Sequence, residues 1–325
     1  MRAIEYRGAG GTEVMAETER PVPVPGAGEV LVKVAAFGLN RADVQQRIGV
    51  YPPPPGASDI PGLEVSGIVE AVGREADASL VGKRVCALLA GGGYAQYVAV
   101  PEGHVLELPD SVDLVDAAGF MEVAATVVSN LFLEANLREG QNVLIHGGAG
   151  GIGSMAIQLC TAAGATVFVT ASSDEKIAHC LALGAHHGIN YRNEDFVQRT
   201  GELTGGAGVD VILDVVGAKY LAANVRALAV DGTLVVIGLI GGAKAELNLG
   251  ALMAKRARIV GTTLRARPTE QKALIVDEVR RRVLPLLESG RLDLAIDRRF
   301  TFDDVRSAHE YFDSGNHTGK IVVRA

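Results

Sequence analysis

The spacing of hydrophobic and polar positions along this chain changes near residue 142. From there, short continuous apolar runs alternate with amphipathic segments of helical length, which predicts buried strands and helices in turn. The predicted strands are residues 142–146, 165–170, 187–190, 209–213, 233–238 and 258–261. The predicted helices between them are residues 151–163, 174–183, 194–203 and 220–228. Apolar strands separated by helices indicate a parallel sheet covered on both faces, and right-handed crossovers favour a six-stranded doubly wound order.

The segment before this series has a different pattern. Residues 29–36 and 62–72 are strand-like runs with turn residues between them, which indicates mainly β structure. Residues 51–56 contain four consecutive prolines followed by a glycine. Because proline fixes φ and lacks an N–H donor, this stretch cannot be a helix or a central strand. It predicts a stiff surface loop.

The tail after residue 268 also lacks the strand–helix rhythm. Its predicted elements are a helix, a strand, a helix and a strand at residues 274–287, 296–300, 303–312 and 320–324. We interpret the tail as returning to the first domain. Residues 1–122 and 268–325 are therefore predicted to form one domain, and residues 123–267 another.

Composition limits the class of protein. Of 325 residues, 48% are hydrophobic and 21% are charged, which is typical of a globular chain large enough for two domains. The net charge is −7 and no run of Lys and Arg is long enough for a basic groove, so nucleic acid is not an expected partner. Cys86, Cys160 and Cys180 form no Cys-x-x-Cys pair, as is usual in a reducing compartment.

No targeting or membrane-spanning segment is expected from the sequence. The first six residues contain no apolar stretch of signal-peptide length. The most apolar segment, residues 234–243, is too short to span a bilayer and is interrupted by glycines. The sequence therefore predicts a cytoplasmic protein without a membrane partner.

The strongest local motif is a G-x-G-x-x-G between the first predicted strand of the series and the helix that follows it. Its glycines allow a tight turn, a close approach of the backbone to a pyrophosphate, and close packing of the helix on the sheet. The phosphates would meet free N–H groups at the positive end of the helix dipole. Such a motif alone is common, but the strand, the helix and the βαβ series around it predict a dinucleotide site. The predicted contacts are Gly148, Gly150, Gly151, Ile152 and Gly153.

The end of the second strand of the series indicates which dinucleotide is bound. NAD-specific sites place Asp or Glu there to hold the ribose 2′-hydroxyl. Here the strand is followed by Ser172 and Ser173, and no acid occurs before Asp174. Hydroxyl groups and the nearby Lys176 would favour a 2′-phosphate. The predicted cofactor is therefore NADPH.

Beyond these motifs, the chain resembles the medium-chain dehydrogenase/reductase superfamily, and within it the zinc-free, zeta-crystallin-like NADPH:quinone oxidoreductases. The matching stretches are residues 38–43 (GLNRAD), 51–54 (YPPP), 61–67 (PGLEVSG), 91–98 (GGGYAQYV), 315–322 (GNHTGKIV) and the nucleotide motif. The resemblance covers essentially the whole chain. It implies a GroES-like catalytic domain built from both ends of the chain, with a Rossmann domain inserted between them.

Two positions separate this chain from zinc-dependent relatives. Asn40 stands where they carry a cysteine, and Leu63 where they carry a histidine, and the four-cysteine lobe that holds a structural zinc is missing. Asp43 and Glu64 are retained, but two carboxylates without a thiolate or an imidazole make a poor zinc site. No metal is therefore expected.

The resemblance also implies roles for individual residues. Those implied around the nicotinamide and the substrate are Asn40, Gln45, Tyr51 and Thr126. Further implied cofactor contacts are Tyr191, Gly217, Gly238, Leu239, Leu264, Arg265, Arg267, Asn316 and Lys320. Several of them follow strands of the doubly wound sheet, at the edge where such sheets bind ligands.

The expected function is NADPH-dependent reduction of a quinone by hydride or electron transfer. Without a metal or a Ser-Tyr-x-x-x-Lys relay, simple alcohols lose their usual activation, whereas a quinone accepts hydride because its carbonyl groups delocalise the charge. One alternative is a zinc-free reductase of enals, enones or enoyl thioesters. An alternative of another class is a crystallin-like structural or RNA-binding protein that binds NADPH without consuming it. A homodimer is also expected, because the resembling family commonly pairs the outer Rossmann strand and residues 257–264 form an apolar edge without proline.

Overall fold

The computed structural model describes all 325 residues. The chain divides into two compact units. Unit 1 consists of Met1–Ala125 and Leu264–Ala325, and unit 2 of Thr126–Thr263.

Unit 2 contains a six-stranded parallel sheet. Its strands are β8 (Asn142–His146), β9 (Thr166–Ala171), β10 (His187–Asn190), β11 (Val209–Asp214), β12 (Leu228–Val236) and β13 (Arg258–Gly261). They lie in the order β10-β9-β8-β11-β12-β13. The helices of this part of the chain are α3 (Gly151–Ala162), α4 (Asp174–Ala182), α5 (Phe196–Leu203), α6 (Leu221–Ala227) and α7 (Leu249–Ala254). This order is that of a dinucleotide-binding doubly wound sheet, so the predicted fold class is confirmed. Helix α7, whose residues are all at least partly exposed, was not predicted.

The strands of unit 1 are β1 (Arg2–Tyr6), β2 (Met15–Glu19), β3 (Glu29–Gly38), β4 (Glu64–Val72), β5 (Arg84–Leu88), β6 (Tyr97–Pro101), β7 (Val105–Glu107), β14 (Ile296–Thr301) and β15 (Lys320–Arg324). Seven of them form one sheet with the order β14-β15-β3-β4-β5-β7, in which β6 pairs with β3. Its other helices are α1 (Arg41–Arg47), α8 (Thr269–Arg282), α9 (Leu284–Glu288) and α10 (Val305–Asp313). The tail thus joins the sheet of the first segment, because β15 pairs with β3.

The long helix predicted over residues 274–287 was wrong in extent. The structure has two helices there, α8 and α9, which are separated at Val283. Pro285 lies in the first turn of α9, where a missing N–H is tolerated, but inside one continuous helix it would remove a hydrogen bond. The apolar spacing continued across the break and concealed it.

Helix α2 (Met121–Val127) continues into a π-helical turn over Val128–Glu134. The stretch Asp116–Glu134 is long and apolar enough to cross a membrane, but most of it is buried inside the protein. Burial of this kind is typical of a core helix. The π-helical turn holds Asn130, which is 3% exposed and accepts a hydrogen bond from Thr262 Oγ1.

Candidate active site

A glycine-rich loop joins the end of β8 to the start of α3. Packing requires Gly153, because a Cβ there would lie 2.4 Å from the carbonyl oxygen of Gly148. A Cβ on Gly148 would lie 2.8 Å from the Cβ of Val169 on β9. Gly150 differs, because the atom nearest to an added Cβ is the Gly147 oxygen at 3.6 Å, an ordinary contact distance. The fold itself therefore does not require glycine at position 150, and its bare backbone leaves room for a ligand.

The first turn of α3 offers unpaired backbone donors. The N–H groups of Gly151, Ile152 and Gly153 have no acceptor within the protein, whereas Ser154 N–H donates to the Gly150 oxygen at 2.8 Å. No acidic side chain lies in this turn. Free N–H groups at the positive end of a helix dipole bind phosphate. The loop and this turn together are suited to hold a pyrophosphate.

A buried polar network lies beside the loop. His146, the last residue of β8, contacts Thr170 Oγ1 through Nδ1 at 3.0 Å and Asn224 Oδ1 through Nε2 at 2.7 Å. Burial lowers the pKa of His146 to about 4, so the ring is neutral and Nε2 carries the proton that it donates to the amide oxygen. Asn224 Nδ2 and Gly217 N–H both donate to Asp214 Oδ2, each at 3.1 Å. The network fixes the strand ends where the strand order reverses, which is where doubly wound sheets bind ligands.

Two of the predicted cofactor contacts, which are glycines that follow strands, are required to be glycine by the packing of the fold itself. Gly217 has a φ of +78°, and a Cβ there would lie 2.9 Å from a backbone oxygen. A Cβ on Gly238 would lie 2.7 Å from another backbone oxygen. Leu239 and Tyr191, in contrast, are 51% and 44% exposed. Their apolar surfaces at this edge of the sheet are open to a ligand.

The turn between β9 and α4 carries the residues predicted to select the cofactor. Ser173 caps α4, because its hydroxyl accepts the N–H of Lys176 at 3.3 Å, and Ser172 precedes it. The carboxylate of Asp174 accepts a hydrogen bond from Asn190 Nδ2 at 2.7 Å. This bond ties the first acid after β9 to the end of β10. The turn therefore presents two serines and a lysine together with an acid that is already hydrogen-bonded.

In unit 1, Asn40 lies at the N-terminus of α1 and its side-chain amide is held on both sides. Its backbone N–H donates to Asp43 Oδ2 at 2.8 Å. Its Nδ2 donates to Glu64 Oε1 at 3.0 Å, and its Oδ1 accepts from Lys320 Nζ at 2.7 Å. The orientation of the amide is thereby fixed. One Nδ2 hydrogen remains for a ligand.

Lys320 was predicted to contact the cofactor, and the structure gives its ammonium group three protein partners. Nζ lies 2.8 Å from the oxygen of Leu39, 2.7 Å from Asn40 Oδ1 and 2.6 Å from Glu64 Oε1. The side chains of Lys320 and Glu64 are 4% and 0% exposed. Because an ammonium group has three N–H donors, all of them are used. Its contact with a cofactor stays a prediction.

The same positions do not fit a zinc ion. Leu63 is 1% exposed and offers no donor, and the amide of Asn40 is already hydrogen-bonded. The carboxylate of Glu64 already pairs with the ammonium of Lys320. No group of three His, Cys, Asp or Glu side chains is placed to hold a metal ion. These residues therefore do not supply the ligands that a catalytic zinc ion needs.

Arg265, another predicted cofactor contact, supports the loop that carries Tyr51. Its Nε donates to the oxygen of Ala90 at 2.8 Å, its Nη2 to Gln46 Oε1 at 2.7 Å, and its Nη1 to the oxygen of Tyr51 at 3.4 Å. The guanidinium lies 5.5 Å from the centre of the Tyr51 ring, and Gln45 O accepts the N–H of Tyr51 at 3.2 Å. The Tyr51 hydroxyl has no partner in the protein, and burial raises its pKa. It is thus a neutral hydrogen-bond donor available to a ligand.

The remaining predicted residues have simple surroundings. Thr126, in the last turn of α2, is 7% exposed, and its carbonyl oxygen accepts from Asn130 Nδ2 at 2.8 Å. Leu264 is 8% exposed, and its carbonyl oxygen accepts the N–H of Arg267 at 3.1 Å. Asn316 is exposed in the loop before β15. Their roles stay predictions.

A buried hydrogen-bond chain runs from α10 to α1. Arg47 Nη1 donates to His309 Nδ1 at 2.9 Å, and His309 Nε2 lies 3.0 Å from the Tyr94 hydroxyl. Because arginine only donates, Nδ1 is an acceptor and the ring proton is on Nε2. Burial lowers the pKa of His309 to about 3, which keeps the ring neutral. The Tyr94 hydroxyl and the carboxylate of Asp43, which accepts the N–H of Asn40, also interact electrostatically.

Glu122 is a candidate functional residue that the sequence analysis missed. It lies in the first turn of α2, and its N–H donates to Glu64 Oε2 at 2.9 Å. Burial and the charge of Glu64 raise the pKa of Glu122 to about 8. It is the only charged residue in the apolar run 117–131, and that isolation was the signal that could have identified it.

Comparisons with known proteins agree with this geometry. The sequence profile of the alcohol dehydrogenase GroES-like domain matches residues 26–110, and that of zinc-binding dehydrogenases matches residues 151–278. The quinone oxidoreductase of Rattus norvegicus is 31% identical, with 99% of this chain and 97% of the relative covered. The quinone oxidoreductase of Pseudomonas aeruginosa is 33% identical, with 99% of both chains covered. The crystal structure of Escherichia coli quinone oxidoreductase complexed with NADPH is 29% identical, with a TM-score of 0.89 and 100% of both chains covered.

A GroES-like unit made from both ends of the chain, with a doubly wound dinucleotide-binding unit inserted, defines a medium-chain dehydrogenase/reductase. Within that class, the chain belongs to the quinone oxidoreductase family. The family predicted from the sequence motifs is therefore confirmed.

Proposed function

We propose that this protein binds NADPH and reduces quinones without the help of a metal ion. One combination of features carries the proposal. The glycine-rich loop has unpaired N–H donors suited to phosphate, whereas the positions that hold zinc in relatives carry Asn40 and Leu63. The side chain of Asn40 contacts the buried ammonium of Lys320. The relatives from Rattus norvegicus and Pseudomonas aeruginosa, each aligned over 99% of this chain, are quinone oxidoreductases, and that of Escherichia coli has been crystallised with NADPH.

The residues present fit the cofactor. The pyrophosphate would be held by the free N–H groups of Gly151, Ile152 and Gly153, with Gly150 leaving space for it. Lys176 and the serines before α4 would hold the 2′-phosphate. When bound, NADPH would supply a hydride to the substrate.

The residues of unit 1 would orient the substrate. The free Nδ2 hydrogen of Asn40 and the unpartnered hydroxyl of Tyr51 are two neutral donors suited to a carbonyl oxygen. The Tyr51 ring offers a flat apolar surface for a planar substrate. Neither donor has to ionise an alcohol, as an alcohol dehydrogenase must.

A homodimer in the cytoplasm is part of the same proposal. Strand β13 is an outer strand of the parallel sheet, and it is four residues long with no proline. Pairing with a second copy would satisfy the open backbone N–H and C=O groups of this outer strand. Light scattering at micromolar concentration tests this part, and a monomer would contradict it.

The test of the activity is NADPH oxidation with a panel of substrates. The panel contains a simple quinone, an enal, an enone and an enoyl thioester, and a primary alcohol is offered with NADP⁺. We expect turnover of the quinone and none of the alcohol, with activity unchanged by a chelator. Turnover of the thioester but not the quinone would favour the enoyl reductase alternative. NADPH binding without turnover of any substrate would favour a structural role.

A further inference from the structure

Two glutamates of unit 1 lie close together but in opposite electrostatic situations. Glu64 is fully buried, and both of its carboxylate oxygens have partners. Oε1 contacts Lys320 Nζ at 2.6 Å and Asn40 Nδ2 at 3.0 Å, and Oε2 accepts the N–H of Glu122 at 2.9 Å. An ammonium and two further donors stabilise its negative charge.

The carboxyl of Glu122 has neither a hydrogen bond nor an ion pair in the structure. The cations in its surroundings are committed elsewhere: Lys320 to three oxygens, Lys272 to the backbone oxygen of Arg265, and Arg265 to three other acceptors. Two carboxyls this close, only one of them paired, do not both ionise readily. Glu122 is therefore the member that retains a proton.

The charged and titratable groups that act on Glu122 lie on several different elements. They are Glu64 on β4, Lys320 on β15, Asp43 on α1, Lys272 on α8, and Tyr51 and Arg265 on loops. Burial and the two carboxylates raise the pKa of Glu122, and the lysines oppose them, which leaves it at about 8. Glu122 as a residue is nevertheless not fully buried, which leaves its carboxyl a route for proton exchange with water.

We propose that the carboxyl of Glu122 is the proton donor of the reaction. This inference rests on the proposed quinone reduction. A hydride adds two electrons and one hydrogen to the quinone and leaves a negative charge on an oxygen of the product. The O–H bond of Glu122 breaks, its proton forms a new O–H bond on that oxygen, and the resulting carboxylate takes a proton from water. Quinone, hydride and proton together give the hydroquinone.

Other groups of unit 1 are less suited to this step. The Tyr51 hydroxyl is a weak acid, because burial raises its pKa above an already high value. Asp43 is 1% exposed, and the N–H groups of Asn40 and Gly62 hold its carboxylate oxygens at 2.8 and 3.2 Å. Tyr51 is suited to orient the oxygen that Glu122 protonates.

The pH dependence of quinone reduction tests the inference. For the wild type, kcat/KM should be level below pH 8 and fall above it, because the donor loses its proton. Glu122→Gln should lower kcat/KM by about 100-fold or more and remove this fall, and Glu122→Asp should restore part of the activity together with the fall. Glu70→Gln is the matched control, because Glu70 is exposed on β4 and the change should leave rate and profile unaltered.

A measurement without turnover completes the test. Infrared titration of the protein without substrate should show a protonated carboxyl that ionises near pH 8 in the wild type and is absent from Glu122→Gln. Ionisation of Glu122 at the usual pH of a glutamate would overturn the inference. Quinone turnover with the same rate and profile in Glu122→Gln would overturn it while leaving the proposed function intact. If the protein reduces another substrate of the panel but no quinone, the rates of the wild type and the variants are compared using that substrate. If it reduces none of them, the proposed function and the inference both fail.

Discussion

Replacing Lys320 with methionine removes the ammonium but keeps most of the apolar volume of the side chain. Three oxygens then lose their partner, and the carboxylate of Glu64, which is 0% exposed, is left without a cation. Removing one member of a buried ion pair costs about 3–5 kcal/mol, because the remaining charge stays desolvated. We expect Lys320→Met to lower the free energy of unfolding of unit 1 by that amount.

A double-mutant cycle separates the ion pair from other effects of the substitution. Glu64→Gln removes the negative charge and keeps the shape of the side chain. In the double variant no charge is left unpaired, so the two substitutions should cost less together than the sum of their separate costs, by about 1.5–3 kcal/mol. Lys83→Met is the control, because Lys83 pairs with Glu107 at 2.8 Å on the surface, where an ion pair contributes about 1 kcal/mol or less.

Urea denaturation followed by circular dichroism is the suitable assay, since the chain has no tryptophan for fluorescence. A cost below about 1 kcal/mol for Lys320→Met would refute the reasoning, because a buried pair would then behave like an exposed one. Additive costs in the cycle would show that Lys320 and Glu64 do not stabilise each other.

Four further predictions concern the two sites. Gly150→Ala should weaken NADPH binding in a calorimetric titration and leave the melting temperature nearly unchanged, whereas Gly153→Ala should lower the melting temperature, because its Cβ would lie 2.4 Å from a backbone oxygen. Lys176→Ala should weaken NADPH about 10- to 150-fold and hardly change NADH, and equal losses for both cofactors would contradict the phosphate contact. Tyr51→Phe should lower kcat/KM for a quinone roughly two- to tenfold through loss of one neutral hydrogen bond, and an unchanged value would make Tyr51 only a loop residue. The free energy of unfolding of Glu122→Gln should rise relative to that of the wild type as the pH increases from 4.5 to about 8. In the wild type the carboxyl ionises in the unfolded chain at a lower pH than in the folded protein, and this difference destabilises the fold across that range. A constant difference between the two proteins over that pH range would contradict this.

The parallel sheet could be predicted from the sequence because its signals are local. Strands β8, β10 and β13 begin and end where the apolar runs do. The division of the tail helix at Val283 agrees with Pro285 in the first turn of α9, a signal that the apolar spacing alone does not include.

The candidate site was predicted less completely, because charge partners are set by distant parts of the chain. The loop at residues 148–153 was visible as a motif, but the pairing of Lys320 with Glu64 joins residues far apart in the sequence. Arg265 was predicted as a cofactor contact, and its three bonds to the surroundings of Tyr51 needed the fold to become apparent. Glu122 has a raised pKa only because of neighbours on other elements.

The construction of unit 1 from both ends of the chain determines the order in which the protein can fold during synthesis. Unit 2 is contiguous and its last residue is Thr263, whereas unit 1 lacks β14 and β15 until residues 296–324 are made. At a typical rate of about 5–20 residues per second, translation of residues 264–325 takes roughly 3–12 s. During that time the end of β3, which later pairs with β15, is an open strand edge. A nascent chain stalled in this interval should therefore be prone to pair with other chains at this edge, although every residue of its nucleotide-binding unit has already been made.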